Sequence, residues 1–221
     1  MALPGLIEVE DRIAAAAAAA GRDRAAITLV AVTKYAGDDQ VLAAYDAGLR
    51  ELAENRASGL EARSALLPGD VSWHFVGRLQ SNKARRVRPI ASLLHSLDRA
   101  SLAEAWLKGP GRPPRALLQV DTAGEEQKGG VALEGAVAMA ERVIGLGIDL
   151  RGLMAIPPVG ADPRPHFEAL RLLRDRITAD HPEVWELSMG MSADFEAAVS
   201  EGATILRVGR AIFGEGGSTT P

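Results

Sequence analysis

The chain of 221 residues contains no cysteine. Disulfides, thiol nucleophiles and cysteine-held metals are excluded at once, and the absence fits a reducing, cytoplasmic setting. Aromatic residues are scarce, with three Trp, two Tyr and four Phe. Positive charge is not in excess. A formal net charge of −4 argues against a bulk binder of nucleic acid or of a membrane surface, so any anionic ligand must be held locally. No apolar run reaches the length of a membrane span. The apolar stretch in MALPGLIEVEDRIAAAAAAAGRDR follows Glu8, Glu10 and Asp11 and has no basic leader. It reads as an alanine-rich helix rather than a signal peptide. A GxGxxG turn is missing after the first strand candidate, which weakens the case for a doubly wound open sheet.

What is present is ordinary for a soluble globular chain: 47% hydrophobic and 24% charged residues, enough for one domain with a sizeable core. Short apolar strand candidates alternate with longer helical patterns. The strands are expected at 27–33, 50–55, 71–77, 92–98, 115–121, 150–157, 184–190 and 203–209. Helices are expected at 38–48, 55–66, 80–88, 99–107, 131–146, 163–179 and 192–201, with a stub at 210–213. Strands alternating with helices imply a parallel sheet of βαβ units. Eight of them give an α/β fold, a (β/α)8 TIM barrel with an extra N-terminal helix, at the compact end for that fold. One domain is expected over 1–214, with GPGRPP (109–114) as a loop and 215–221 as a disordered tail.

Functional residues of such a barrel lie at the C-terminal ends of its strands. Those positions hold Lys34, Glu54, Asn55, the segment 74–80, Ser96, Asp98, Asp121, Met154, Ser188, Met189, Arg207 and Gly209. Lys34 ends the apolar run LVAVTK. Two readings stand on that pattern: a lysine snorkelling to water, or a partly desolvated Schiff-base amine. In TILRVGRAIFG a strand stops at Gly209 and a helical stub begins, an arrangement that favours an anion at unpaired backbone N–H groups, with Arg210 adding charge. Ser188 closes the seventh strand, and a hydroxyl there could complete a phosphate cradle. Ser192 reads as a helix N-cap. His74 is a catalytic candidate or a hydrogen-bonded structural residue. The basic run Lys83, Arg85, Arg86 and Arg88 reads as a solvated face. Asp121, Glu125 and Glu126 have no histidine at ligand spacing, so a metal site is not expected.

In order along the chain, AVTK, ENR, WHFVGRLQSNK, HSLD, LQVDTAGEEQKGG, LRGLMAIP, LSMGMSADFEAA and RVGRAIFG together resemble the pyridoxal phosphate homeostasis proteins, single-domain relatives of the alanine racemase barrel. The resemblance implies a barrel holding pyridoxal 5′-phosphate as an internal aldimine on Lys34. Arg207 matches the arginine near the pyridine nitrogen. Ser188, Gly209 and the Arg210 backbone match the phosphate cradle, with Asn55 at the cofactor's edge and Met154 and Met189 beside it. An arginine at that nitrogen keeps the ring a weak electron sink. The chain departs from the family at Leu52 and Ala53, usually an aromatic and a glycine, and at Arg210, usually a small hydroxyl residue.

The implied function is cofactor storage, buffering or delivery to apo-enzymes, by a cytoplasmic monomer with no nucleic-acid or membrane partner. A weak amino-acid racemase is the enzymatic alternative. Its second base would have to be a tyrosine such as Tyr35, since Tyr45 sits in a helix. A cofactor-free Schiff-base aldolase is a third. Lys83 and Lys128 are further amines that could take up the aldehyde adventitiously.

Overall fold

The computed structural model describes residues 3–109, 115–124 and 129–214. The expected tail 215–221, most of the 109–114 loop, and Glu125, Glu126 and Lys128 lie outside them. The chain opens with α1 (Pro4–Ala19), whose proline occupies the first turn, where no N–H is needed. Leu6, Val9, Ile13 and Ala17 form its buried stripe, the spacing of one helix face. Strands and helices then alternate: β1 (Thr28–Val32), α2 (Asp38–Asp46), β2 (Glu51–Glu54), α3 (Ala57–Ser64), β3 (Ser72–Phe75), α4 (Ala84–Val87), β4 (Ala91–Leu97), α5 (Ala100–Leu107) and β5 (Arg115–Asp121). They continue with β6 (Val131–Ala132), α6 (Ala136–Gly145), β7 (Leu150–Met154), α7 (Arg164–Thr178), β8 (Glu186–Ser188), α8 (Phe195–Ser200), β9 (Ile205–Val208) and α9 (Arg210–Phe213).

Eight strands close into a parallel ring in the order β4-β3-β2-β1-β9-β8-β7-β5, shut by pairing of β4 with β5. This is the (β/α)8 barrel expected from the alternation, and α1 packs beside α8 and α9. Successive residues of a strand face opposite sides, and the burial divides accordingly. Val30, Ala53, Leu93, Leu117, Met154 and Ile205 pack as one cluster inside the ring. Their chain neighbours Ala31, Leu52, Leu94, Leu118, Leu153 and Leu206 belong to the larger cluster between strands and helices.

Two expected helices begin later than their sequence pattern suggests. The stretch 131–146 starts with the two-residue strand β6, paired to β5 through Val120–Val131 and Asp121–Ala132, then a 3-10 turn, and only then α6. The cause is the glycine pair before it. Gly130 has φ +115°, and a Cβ there would stand 2.8 Å from the Asp121 nitrogen, so the absence of a side chain lets the chain press against β5. Likewise, 80–88 divides into a 3-10 turn at Ser81–Lys83 and α4. Its basic residues are not one solvated face. Arg88 is buried and donates to the Leu107 carbonyl at 3.0 Å, while Arg86 forks onto the Glu61 carboxylate.

Candidate functional site at the barrel mouth

Register brings the predicted residues to one end of the ring. β9 lies against β1 with Val30 opposite Arg207 and Ala31 opposite Val208. β8 lies against β9 with Ser188 opposite Ile205. The C-terminal ends of β8, β9 and β1 therefore stand side by side, carrying Ser188, Arg207, Gly209 and Lys34.

Strand β1 stops at Val32, and the buried position beyond it is taken by Thr33. Lys34 falls on the following turn and is exposed, with its Nζ 4.8 Å from the Tyr35 ring centroid. Of the two readings of this lysine, the structure has the solvated one, because Thr33 rather than Lys34 fills the buried place. Thr33 Oγ1 lies 2.5 Å from Glu54 Oε1 and 3.1 Å from the Ala53 carbonyl. One hydroxyl has one hydrogen. Both bonds are satisfied when a protonated Glu54 donates to Thr33 and Thr33 donates to Ala53. Burial pushes the Glu54 carboxyl up from its usual range, against the Thr33 and Asn55 hydrogen bonds and the charges of Lys34 and Arg56. Burial therefore favours the protonated form, the one that this geometry would satisfy at the base of the lysine turn.

Arg207 is buried inside the barrel. Its Nη1 donates to Ser188 Oγ at 2.6 Å and its Nη2 to the Ala155 carbonyl at 3.0 Å. Burial lowers its guanidinium to about 10, partly offset by Asp194, so it keeps its charge at neutral pH. Ser188 Oγ also lies 2.8 Å from His95 Nδ1. His95 Nε2 meets His74 Nδ1 at 2.8 Å, and His74 Nε2 meets Glu51 Oε2 at 2.6 Å. His74 is thus a hydrogen-bonded core residue. His95 was missed in the sequence. Complete burial, with His74 and Arg207 beside it, holds its imidazole well below the ordinary range, so it is neutral.

The strand-to-helix turns supply the remaining donors. Gly209 precedes α9, and a Cβ at Gly209 would stand 2.9 Å from the Val32 carbonyl. A bare backbone is what lets β9 approach β1 there. Ser192 is not the N-cap of α8. That helix starts at Phe195 behind Asp194, whose Oδ1 accepts the Met191 N–H at 2.6 Å. Ser192 Oγ accepts the Ala211 N–H at 3.2 Å instead. The reversal is imposed by Gly190 at φ +91°, where a Cβ would stand 2.6 Å from Ala198 Cβ. Ser192 thus has a local cap signature, whereas its partner lies on the next βα turn.

The other predicted residues are spread around the ring. Met154 is part of the cluster inside the barrel. Met189 packs outside it, under the helices, and its N–H is bonded to the Ile205 carbonyl. That side chain does not face the mouth, because it follows inward-facing Ser188 by one residue. Asn55 follows β2 and lines a cleft of about 680 Å³ with Arg56, Arg78, Lys83 and Arg99. Arg210 is exposed at the start of α9. Asp121 accepts the N–H groups of Ala123 and Gly124 at 2.9 Å and so shapes its own loop. Among the described residues, no group of three or more acidic or histidine side chains is placed to hold a metal.

Residues 8–216 match the alanine racemase N-terminal domain family. The chain is 42% identical over 216 residues to a pyridoxal phosphate homeostasis protein of Pseudomonas aeruginosa, covering 95% of this chain and 93% of that one. It is 39% identical over 219 residues to the protein of that name from Aquifex aeolicus, with 95% and 96% covered. Its structure superposes on Synechococcus elongatus PipY with PLP bound at a TM-score of 0.79 and 32% identity, covering 93% of this chain and all of that one. The closed parallel ring, the converging strand ends and relatives matched along nearly their whole length lead to one assignment: the chain belongs to the pyridoxal phosphate homeostasis proteins, built on the alanine racemase N-terminal domain.

Proposed function

We propose that the chain binds pyridoxal 5′-phosphate in the barrel mouth and serves in intracellular cofactor homeostasis, as a store, buffer or delivery protein. The observation that carries this reading is the alignment of the β8, β9 and β1 ends, which gathers a primary amine, a buried guanidinium and two hydroxyls at one opening. That donor set fits a phosphorylated aldehyde. Lys34 would hold the aldehyde end through its primary amine. Arg207, fixed by Ser188 and Ala155, would stand at the ring nitrogen. Ser188, Ser192, Gly209 and the Arg210 amide would receive the phosphate at the strand-to-helix turns. Asn55 borders the ring from the β2 side. Bound there, the cofactor supplies a reversible electrophile, which a carrier needs only to hold and release.

Spectroscopy tests the reading. The protein mixed with pyridoxal 5′-phosphate gains a yellow band, and borohydride fixes the adduct on the Lys34 peptide. A colourless mixture, or equal uptake by Lys34→Ala, overturns it. The same mass spectra separate Lys34 from adventitious modification of Lys83 and Lys128. Transfer from the loaded protein to an apo-enzyme, compared with free cofactor at equal concentration, distinguishes delivery from passive buffering. The protein is proposed to act as a cytoplasmic monomer, which light scattering and fractionation check.

A further inference from the structure

Glu51, His74, His95 and Ser188 form an unbroken hydrogen-bonded line to Arg207 past the apolar interior residues Val30, Ala53, Leu93, Leu117, Met154 and Ile205. A line of polar side chains in an apolar barrel is costly unless every member is satisfied. It also connects the two ends of the ring. Glu51 is the first residue of β2 and is partly exposed, whereas Ser188 is the last of β8.

The hydrogens can be ordered in only a few ways. An arginine only donates, so Ser188 Oγ accepts from Arg207. With one hydrogen on each histidine and the Glu51 carboxylate oxygen as acceptor, the ordering that satisfies every bond runs one way. Ser188 donates to His95 Nδ1, His95 Nε2–H donates to His74 Nδ1, and His74 Nε2–H donates to Glu51. In this order the Ser188 hydrogen points into the core and cannot serve an anion in the mouth.

We propose that this line is a proton conduit, and that an anion arriving at Ser188 reverses it and leaves one proton stored on His74 beside Glu51. The proposal rests on the cofactor reading above. In the shift, Ser188 passes its hydrogen to His95 Nδ1, His95 passes the Nε2 hydrogen to His74 Nδ1, and Ser188 takes a replacement from solvent or the phosphate at the mouth. Three bonds to hydrogen break and three form, with a net gain of one proton from the mouth. Ser188 Oγ then accepts from both Arg207 and His95 and donates to the anion, using its full capacity. His95 stays neutral throughout. The charged His74 gains Glu51 at 2.6 Å as its counter-ion. Around it stand His95 on β4 and Glu186 on β8; Glu186 is itself influenced by Arg115, Asp149 and Arg151, and Arg207 at the other end by Asp194. By linkage, anion binding and proton uptake strengthen each other equally.

Long-range nitrogen–proton spectra of histidine-labelled wild-type protein read each ring nitrogen without any substitution. The free protein is expected to show a hydrogen on His95 Nε2. Loading with pyridoxal 5′-phosphate is expected to move it to Nδ1 and to give His74 two hydrogens. Pyridoxine 5′-phosphate, which has no aldehyde and cannot bond Lys34, supplies the second readout. Its dissociation constant should rise by up to about tenfold per pH unit while one proton is linked to binding, and Glu51→Gln should flatten that slope. A His95 tautomer unchanged by loading, or a slope identical in Glu51→Gln, overturns the conduit while the cofactor reading stands. Failure of the wild type to bind either vitamer at all overturns both.

Discussion

Arg207 donates to the hydroxyl of Ser188 at 2.6 Å, tying the end of β8 to β9 inside the barrel. Its second nitrogen holds the Ala155 carbonyl beyond β7, so one planar fork spans three consecutive strands of the ring. A lysine carries the same charge on a single point and cannot bridge both acceptors. Arg207→Lys is therefore expected to lose about 1–3 kcal/mol in urea unfolding, the cost of a buried acceptor left unpaired, and Arg207→Ala more. A Lys variant within about 0.5 kcal/mol of wild type, the scatter of neutral surface changes, would show that the fork is incidental.

Glu54 sets a pH dependence. Its carboxyl is raised by burial, so between its unfolded and folded values the native state holds the extra proton. Stability on this account is lost as pH rises through the folded value, where the carboxyl must ionise inside the protein, and is regained in acid. Glutamine keeps the geometry without the charge: its amide donates to Thr33, and Thr33 to the Ala53 carbonyl. Thermal melts of Glu54→Gln should lie above wild type at neutral and alkaline pH, and the gap should close in acid. A gap that widens in acid would mean that Glu54 is ionised in the fold.

Gly190 and Gly48 form a controlled pair. Both have φ above +90°, but a Cβ at Gly190 meets Ala198 and Leu206 within 3.0 Å, while a Cβ at Gly48 meets nothing within 4 Å. Gly48→Ala bears backbone strain alone, about 1–3 kcal/mol. Gly190→Ala adds overpacking of similar size and displaces the Ser192 turn. Unfolding in denaturant should rank Gly190→Ala clearly below Gly48→Ala; equal losses would remove the packing argument.

In the proposed cradle, Ser192 serves the phosphate end. Its oxygen is used by the Ala211 N–H, which leaves its hydrogen for an anion at the same turn. Ser192→Ala should weaken pyridoxal 5′-phosphate binding by about tenfold or more, the worth of one hydrogen bond to a charged group, while changing stability by only about 1 kcal/mol. Unchanged affinity in a spectroscopic titration would take Ser192 out of the cradle.

The alternation of 27–33, 115–121 and 203–209 with helical stretches was enough to read a closed parallel ring, because each of those strands is short, apolar and followed by a helix. It also placed Ser188, Arg207 and Gly209 at neighbouring strand ends. The illegible parts depend on residues distant in sequence. His95 looked like one polar residue in SLLHSLD; its partners, His74 and Ser188, come from β3 and β8. Ser192 carries the local signature of a cap, but left-handed Gly190 points it elsewhere. Met189 was misplaced by one step of strand parity. Arg88 read as solvated because its acceptor, the Leu107 carbonyl, lies at the far end of α5, beyond β4.

Closure of the ring sets an order of events. β1 pairs with β9, Thr28 opposite Ile205, so the first strand waits for the last before the barrel can shut. Contacts of such long sequence separation form late and slowly. Lys34 stands on one side of that seam and Arg207 on the other. The amine and the guanidinium therefore meet only once β9 has been made and docked. During synthesis on the ribosome, the opening between them cannot exist before β9 is made, and a chain cut short of β9 cannot carry it.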